Sequence, residues 1–359
     1  MRNERDTLSK GFHSSIIESV NRHFYGVKSY IVGGYMMATK KMILDLDTGV
    51  DDALAIAYAV ASPEVDLIGI VSSYGNVLVD KSAENSLDLL ELLGATDVPV
   101  FLGESHSSTT DHFDVMEISQ KIHGVNGIGE VKIPKAKRAV ETEGAVDFIV
   151  DSAHKYGENL ILVPTGPQTN LDAAITKDPE VAKLIGNMTF MGGALTVPGN
   201  VTAFTEANIN QDPAAADRVF RSPLKSTMVG LDVTLRTLLT KKETQQWRDL
   251  GTVAGEKYAD ITDYYIDAYY NLDIDKNGCA IHDPLAVGVA IDPSYAKLID
   301  LNMKVTHDDP ANPADVGRTI GDTARLNDPT TNMKVAVDVD KARYLAHFMD
   351  LLTNLFAKH

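Results

Sequence analysis

The chain has 359 residues, with 33 Lys and Arg against 50 Asp and Glu, which gives a formal net charge of −17 and an isoelectric point of about 4.9. This acidic surplus argues against a protein that binds nucleic acid or an anionic membrane surface, because both need basic patches. The single cysteine, Cys279, excludes an intramolecular disulfide and a thiolate metal cluster. It fits a reducing compartment, and we expect a cytoplasmic protein.

The first 40 residues differ from the rest in charge. They contain six basic and three acidic residues and carry +3, whereas the remainder carries −20. Their apolar run, Tyr30 to Ala38, is too short to span a bilayer, which takes about 20 apolar residues. We predict that residues 1–40 are an N-terminal extension, disordered or the product of an upstream start codon, with Met36 and Met37 as natural starts. A surface helix from Ile16 to Tyr25 is the alternative.

From residue 41 onward, short apolar runs alternate with amphipathic segments. The runs predict strands at 42–44, 66–73, 98–102, 160–163, 187–191 and 226–229. The segments between them predict helices at 51–61, 81–93 and 143–154, mainly helical structure over 240–280, and a closing helix over 340–356. Residues 307–332 predict a loop or an irregular hairpin. Continuous apolar strands separated by helices indicate an α/β fold in one large domain, with an open, mostly parallel sheet flanked by helices. Such sheets bind ligands at the carboxyl ends of their strands.

Carboxylates are concentrated where the first of these strands ends, in the segment MILDLDTGVDDALA. Asp45 and Asp47 are two apart and are expected to share one face of the strand. Asp51 and Asp52 follow at a helix start, where the helix dipole stabilises negative charge. Ordinary helix capping explains Asp51 and Asp52 but leaves the first pair unexplained. So many carboxylates need a cation or shared protons. If a cation is bound, oxygen ligands without cysteine favour Ca²⁺ or Mg²⁺ over zinc.

Polar residues also follow the later strands. The motifs are SSYGN, PTGPQTN, MGG, GNVTAFTEANINQDP and IHDP. Each taken alone is also a common turn sequence, because Asn, Asp and Gly serve turns well. Their joint occurrence after successive strands favours a site for a hydroxyl-rich ligand such as a sugar.

Together, the motifs DLDTGVDD, YGN, PTGPQTN, MGG, TEANI and IHDP resemble the inosine–uridine preferring nucleoside hydrolase family from about residue 41 to the C-terminus. The resemblance implies a catalytic domain over 41–359 that hydrolyses the N-glycosidic bond of ribonucleosides to free base and ribose. It also implies one bound Ca²⁺, with Asp47 as general base on a Ca-bound water and His282 assisting protonation of the leaving base. It further implies a homodimer or homotetramer.

The resemblance assigns the remaining site residues by motif match. The implied metal ligands are Asp47, Asp52, the backbone carbonyl of Thr165, and Asp283. The implied substrate-binding residues are Asp51, Asn76 and Asn208 for the 2′- and 3′-hydroxyls, Asn200 and Glu206 for the 5′-hydroxyl, Met191 for the ribose, and Tyr265 and Tyr269 for the base, with Tyr264 as an alternative.

Four positions depart from the family pattern. Thr48 replaces a Pro, Ala207 replaces a Phe beside the base, and Val125-Asn126 replaces Glu-Ser in the loop IHGVNGIG. The change at Ala207 leaves the choice between purine and pyrimidine bases open.

Two other functions remain open from the sequence. One is a catalytically weak nucleoside- or sugar-binding protein on the same scaffold. The other is a haloacid-dehalogenase-like phosphatase, since DLDTG fits its DxDxT motif. That family needs a second acidic pair, and Leu326 stands where the second Asp would follow Gly321-Asp322.

Overall fold

The computed structural model describes residues 29–32, 35–331 and 333–359. The helix considered at 16–25 lies outside these residues. The strands are β1 (Ser29–Val32), β2 (Tyr35–Ala38), β3 (Lys40–Leu46), β4 (Val65–Ser72), β5 (Val100–Phe101), β6 (Leu160–Pro164), β7 (Asn187–Met191), β8 (Ser226–Val229), β9 (Leu238–Leu239), β10 (Cys279–Ala280), β11 (Ala296–Leu301), β12 (Met303–Val305), β13 (Thr319–Gly321) and β14 (Met333–Val339). The helices are α1 (Val50–Ala61), α2 (Val79–Leu92), α3 (Glu117–His123), α4 (Ala145–Tyr156), α5 (Thr169–Lys177), α6 (Val181–Leu184), α7 (Ala207–Gln211), α8 (Pro213–Arg221), α9 (Leu231–Thr234), α10 (Lys241–Arg248), α11 (Val253–Asn271), α12 (His282–Ile291) and α13 (Lys341–Phe356).

Eight strands form one sheet in the order β11-β14-β8-β7-β6-β3-β4-β5. All neighbours pair in parallel except β11, which runs antiparallel to β14 at one edge. From β3 the chain first builds outward through β4 and β5, and then returns to place β6 on the other side of β3. The order therefore reverses between β3 and β6, which is where open α/β sheets form a ligand crevice.

Both faces of this sheet are covered. Met42 and Leu44 pack into one hydrophobic cluster with α1, α12 and α13, whereas Ile43 packs into a second cluster with α4, α5 and α8. Successive residues of β3 thus bury opposite faces, which explains its continuous apolar run. The α/β class and the mostly parallel sheet predicted from the sequence are confirmed.

The strand predictions at 187–191 and 226–229 match β7 and β8 to the residue. The predicted strand at 98–102 is reduced to the two residues of β5. The segment 307–332, predicted as a loop or an irregular hairpin, contains β13, which pairs antiparallel with β12 just before the segment. Before residue 40, β1 pairs antiparallel with β2.

Candidate active site

The carboxyl ends of β3 and β6 bring the first acidic motif against the PTGPQTN loop. The backbone N–H of Thr165 donates to the carbonyl of Asp45 at 2.9 Å, which joins the two strand ends. Strand β3 ends at Leu46, so Asp47 lies in the turn beyond it, and the expected alternation of Asp45 and Asp47 does not extend that far. A Cβ at Gly75 would lie 2.0 Å from Asp47 Oδ2, so the chain after β4 closes over this carboxylate only because residue 75 is glycine.

Three carboxylates converge beside Asp47. One oxygen from each of Asp51, Asp52 and Asp283 lies within 4.8 Å of the others, and all three residues are buried. Asp47 is fully buried and is held by the backbone N–H of Asn76, which donates to Oδ2 at 2.6 Å. The structure therefore brings Asp51 and Asp52 of DLDTGVDD together with Asp283 of IHDP, which lies more than 230 residues later in the chain.

Neutral donors fix the orientation of Asp52. Its Oδ2 accepts from the Gly49 backbone N–H at 2.7 Å and from Asn76 Nδ2 at 3.3 Å, and its Oδ1 accepts from Thr165 Oγ1 at 2.7 Å. Gly49 caps the N-terminus of α1, so the helix dipole also favours negative charge here.

The remaining carboxylates lack such support. Asp47 Oδ1 and Asp51 Oδ1 are buried without a hydrogen-bond partner among the described residues. Burial is the largest cause that raises the pKa of each, to about 8 for Asp51 and well above the usual value for Asp47, and the nearby Asp52 adds to both shifts. Burial also raises the pKa of Asp283 well above its ordinary value. A divalent cation fits this site, because it would supply charge and coordination to oxygen atoms that the protein leaves unpaired.

Asp45 has a different environment. It is fully buried, and its Oδ1 accepts from Asn170 Nδ2 at 2.9 Å. The same amide nitrogen donates to the Ser72 carbonyl at 3.1 Å, so Asn170 ties the ends of β3 and β4 together. We interpret Asp45 as part of this tie.

The TEANI motif forms the wall opposite the carboxylates. Glu206 caps α7, and its two oxygens accept from the backbone N–H groups of Gly193, Asn208 and Ile209 at 2.9–3.2 Å. Asn208 Nδ2 donates to the carbonyls of Thr165 and Met191 at 2.7 and 3.2 Å. Both side chains therefore help to build the wall as well as to line it.

Asn200 is exposed and lies at the mouth of the site. Its Oδ1 accepts from the backbone N–H of Ala207 at 3.0 Å, which fixes the loop before α7 against that helix. Eleven of the thirteen site residues predicted from the sequence line one cavity, and Asp47 and Asp52 are absent from its lining. The eleven are Asp51, Asn76, Thr165, Met191, Asn200, Glu206, Asn208, Tyr265, Tyr269, His282 and Asp283.

Ring and hydroxyl groups connect His282 to the carboxylates. His282 Nε2 lies 2.8 Å from Tyr269 Oη, which lies 3.4 Å from Tyr265 Oη. Tyr265 Oη donates to Asp51 Oδ2 at 3.4 Å. Burial lowers the pKa of His282 to about 4, so the imidazole is neutral at pH 7. Tyr265 and Tyr269 line the cavity, and Tyr264 is absent from its lining.

The cavity has a volume of about 470 Å³ and an apolar outer part. Its outer lining comprises Met116, Ile118 and Ile122 on one side and Leu235, Leu272 and Ile274 on the other. The mouth is thus made by α3 and by the segments that follow α9 and α11, far apart in sequence.

Sequence reasoning missed His123 as a site residue. It ends α3 in the IHGVNGIG loop, lines the cavity, and accepts from the Val50 backbone N–H through Nδ1 at 3.2 Å. Its ring lies 5.4 Å from that of Tyr265, and burial lowers its pKa to about 3. The loop motif placed this segment near the pocket, but nothing in the sequence indicated that the His123 side chain points into the cavity.

Comparison with known proteins agrees with this geometry. The family model described as inosine–uridine preferring nucleoside hydrolase matches residues 42–346. The chain belongs to this family. It is a ribonucleoside hydrolase, and the haloacid-dehalogenase-like interpretation loses its basis because one family accounts for the whole acidic motif.

Three relatives of this nucleoside hydrolase cover between 71% and 89% of its chain. A solved structure titled purine-preferring ribonucleoside hydrolase from Gardnerella vaginalis is 55% identical, with a TM-score of 0.87, and the match covers 89% of this chain and all of that one. The pyrimidine-specific ribonucleoside hydrolase RihA of Citrobacter koseri is 32% identical over 88% of this chain and 97% of its own length. The probable uridine nucleosidase 2 of Arabidopsis thaliana is 36% identical over 71% of this chain and 78% of its own length.

Among the described residues, no helix combines the length and apolar character that crossing a membrane requires.

Proposed function

We propose that this nucleoside hydrolase cleaves the N-glycosidic bond of ribonucleosides with Asp47 as general base, His282 as the group that assists protonation of the leaving base, and Ca²⁺ as cofactor. The observation that carries the proposal is the buried acidic cluster at the inner end of a cavity that is also lined by His282, Tyr265 and Tyr269. Glycoside cleavage needs negative charge near the ribose and a proton donor near the leaving group.

The residues that would hold the cation are Asp47, Asp52, the carbonyl oxygen of Thr165, and Asp283. Carboxylate and carbonyl oxygens are the ligands that Ca²⁺ prefers. Bound Ca²⁺ would offset the charge of the cluster and make a coordinated water easier to deprotonate. The unpartnered Asp47 Oδ1 supports this assignment, because an oxygen without a protein donor is free to take a proton from the attacking water.

The same residues would place the ribose. Asp51 of the acidic cluster, together with Asn76 and Asn208, would bind the 2′- and 3′-hydroxyls. Asn200 and Glu206 would bind the 5′-hydroxyl. Because the two Glu206 oxygens already accept three backbone N–H groups, Glu206 is rigid and would use its remaining lone pairs. A fixed ribose presents its anomeric carbon to the water, which lowers the entropy cost of attack.

The leaving base would lie between His282 and the apolar outer lining. As the glycosidic bond breaks, the bonding electrons move to the base nitrogen, and the Tyr269 hydroxyl would give that nitrogen a proton with the assistance of His282, whose Nε2 contacts the same hydroxyl. The water adds its oxygen to the anomeric carbon and gives one proton to Asp47. Return of that proton to Tyr269 restores the enzyme, so that the net reaction consumes one water.

We propose a preference for purine nucleosides. The relative titled purine-preferring shares 55% identity, against 32% for the pyrimidine-specific one. Ala207 lines the cavity where the family commonly has Phe, so more room is left beside the base. The apolar mouth would also bury more of a two-ring base than of a one-ring base. Following the family resemblance, we further propose a cytoplasmic homodimer or homotetramer, which size-exclusion chromatography with light scattering would test.

Ribose release from a panel of ribonucleosides tests the proposal in one experiment. We expect calcium-dependent release of ribose, with a higher kcat/KM for inosine and adenosine than for uridine and cytidine. Tight nucleoside binding without turnover would instead identify a binding protein on this scaffold. A higher kcat/KM for uridine would overturn the purine preference and leave the hydrolase assignment intact.

A further inference from the structure

Thr234 touches the imidazole of His282 on the side that faces away from the cavity. Its Oγ1 lies 2.8 Å from His282 Nδ1, and this is the contact that the structure gives to that ring nitrogen. Thr234 is fully buried at the end of α9 and is absent from the cavity lining. It therefore cannot contact a substrate and can act on one only through His282.

The neighbouring backbone holds the two residues in register. The Ile281 N–H donates to the Thr237 carbonyl at 3.0 Å, and β10 pairs antiparallel with β9 directly before His282. The backbone before the imidazole is thus bound to the segment that carries Thr234, so the 2.8 Å contact is set by the fold.

The hydroxyl of Thr234 has one hydrogen-bond partner among the described residues, and that partner is His282 Nδ1. Because the ring nitrogen is the acceptor within reach of the hydroxyl hydrogen, Thr234 donates to Nδ1. The neutral imidazole then carries its one hydrogen on Nε2, which lies 2.8 Å from Tyr269 Oη.

This arrangement decides where the hydrogen of Tyr269 points. If Nε2 carries hydrogen, it fills a lone pair of Tyr269 Oη and leaves the Tyr269 hydrogen available to a base in the cavity. If instead Nδ1 carried the hydrogen, Nε2 would be a bare acceptor and would take the Tyr269 hydrogen for itself. The buried hydroxyl of Thr234 thus controls whether the Tyr269 hydroxyl can donate a hydrogen bond into the cavity.

We propose that Thr234 is a positioning residue that holds His282 in its Nε2–H tautomer and so keeps the Tyr269 hydroxyl hydrogen directed to the leaving base. This inference rests on the proposed function and adds a residue to it. Interactions that hold a catalytic histidine in one tautomer can contribute strongly to turnover, because the wrong tautomer cannot transfer hydrogen in the required direction.

The test compares Thr234→Val, which keeps the shape and removes the hydroxyl, with Thr234→Ser, which keeps the hydroxyl. Thr237→Val is the matched control, because its hydroxyl is equally buried and donates to the Val233 carbonyl instead. Each calcium-loaded variant is assayed with inosine, whose base is a poor leaving group, and with p-nitrophenyl riboside, whose leaving group needs little proton donation.

We expect Thr234→Val to lower kcat for inosine by roughly 10- to 100-fold, within the range of acid–base catalysis. KM for inosine and kcat for p-nitrophenyl riboside should change less than about threefold, and Thr234→Ser should recover most of the inosine activity. Equal losses on both substrates, or the same losses in Thr237→Val, would overturn the proposal.

A spectroscopic measurement separates this proposal from the proposed function. In protein labelled with ¹⁵N-histidine, the ring nitrogen shifts of His282, assigned by their loss in His282→Gln, should report Nε2–H in the wild type and a changed or mixed tautomer in Thr234→Val. An Nδ1–H tautomer in the wild type overturns the proposal. If the wild type releases no ribose, the proposed function fails, and the tautomer measurement alone decides the assignment of Thr234.

Discussion

The backbone N–H of Asn76 donates to Asp47 Oδ2 at 2.6 Å, while the side-chain amide of the same residue donates to Asp52 Oδ2 at 3.3 Å. A single residue after β4 thus orients two carboxylates that follow β3. One oxygen of Asp47 is fixed and the other, Oδ1, is left without a protein partner. This division within one carboxylate suits a group that must be rigid and still accept a proton.

Replacing Asp47 by Asn should therefore abolish turnover while the protein stays folded. The amide keeps the shape and can still accept from the Asn76 N–H, but it cannot take a proton from water, so kcat should fall at least about 100-fold. Asp45→Asn is the matched control, because Asp45 is equally buried and bonds Asn170 instead; it should keep most of the turnover. An Asp47→Asn enzyme with more than a tenth of wild-type kcat would remove Asp47 from the role of base.

Removing divalent cations should stop turnover and lower thermal stability together. Without a cation, the buried oxygens of the acidic cluster lose the charge that offsets their mutual repulsion, and ligands that bind only the folded state stabilise it by mass action. Treatment with EGTA followed by desalting should lower both ribose release and Tm, and added Ca²⁺ should restore both. Full activity after exhaustive chelation would contradict the proposal that turnover depends on a bound metal ion.

His282→Gln should harm nucleosides more than an activated substrate. Loss of the imidazole removes the partner of Tyr269 Oη, so inosine should lose about 100-fold or more in kcat, whereas p-nitrophenyl riboside should lose much less. The control is His347→Gln, whose imidazole bonds Tyr58 between α1 and α13, outside the cavity. Similar losses on the two substrates would indicate that His282 supports the structure rather than the leaving base.

The sequence predicted those parts of the fold and site that depend on local pattern. The strands β7 and β8 were predicted to the residue because continuous apolar runs between breakers mark them, and Asp51 and Asp52 were placed at a helix start by their position after Gly49. The short β5 was overestimated, since its two ladder residues lie inside a longer apolar run.

The directions of individual side chains could not be predicted from the sequence in the same way. Sequence spacing suggested that Asp45 and Asp47 share a face, but β3 ends between them and each has its own partners. Neither His123 nor Thr234 was predicted. Each acts through a contact with a residue more than 40 positions away, and such contacts follow from the packing of α3 and α9 rather than from any motif.

Thr48 stands where the family usually has Pro, and its contacts allow a prediction about stability. Its hydroxyl lies 2.7 Å from Ser86 Oγ, and its backbone N–H donates to Ser82 Oγ at 3.0 Å, all within the buried contact between the turn and α2. Thr48→Val should cost about 1–3 kcal/mol of unfolding free energy, because the serine hydroxyls lose a buried partner. Thr48→Pro, which restores the family residue, should cost more because the N–H is lost as well. Urea denaturation measures both free energies, and a Thr48→Pro protein as stable as the wild type would show that these hydrogen bonds contribute little to stability.

The apolar mouth should set affinity rather than the rate of bond cleavage. Ile118 lines the cavity from α3, and its side chain is 43% exposed. A base bound in the cavity would bury this side chain further. Ile118→Ser should raise KM for inosine roughly 3- to 10-fold, since a few lost methylene contacts in a hydrophobic pocket are worth about 1–3 kcal/mol at most, and should leave kcat nearly unchanged. Leu326→Ser is the control, because Leu326 is 73% exposed outside the cavity. A fall in kcat without a change in KM would show that this side chain acts on the transition state rather than on base binding.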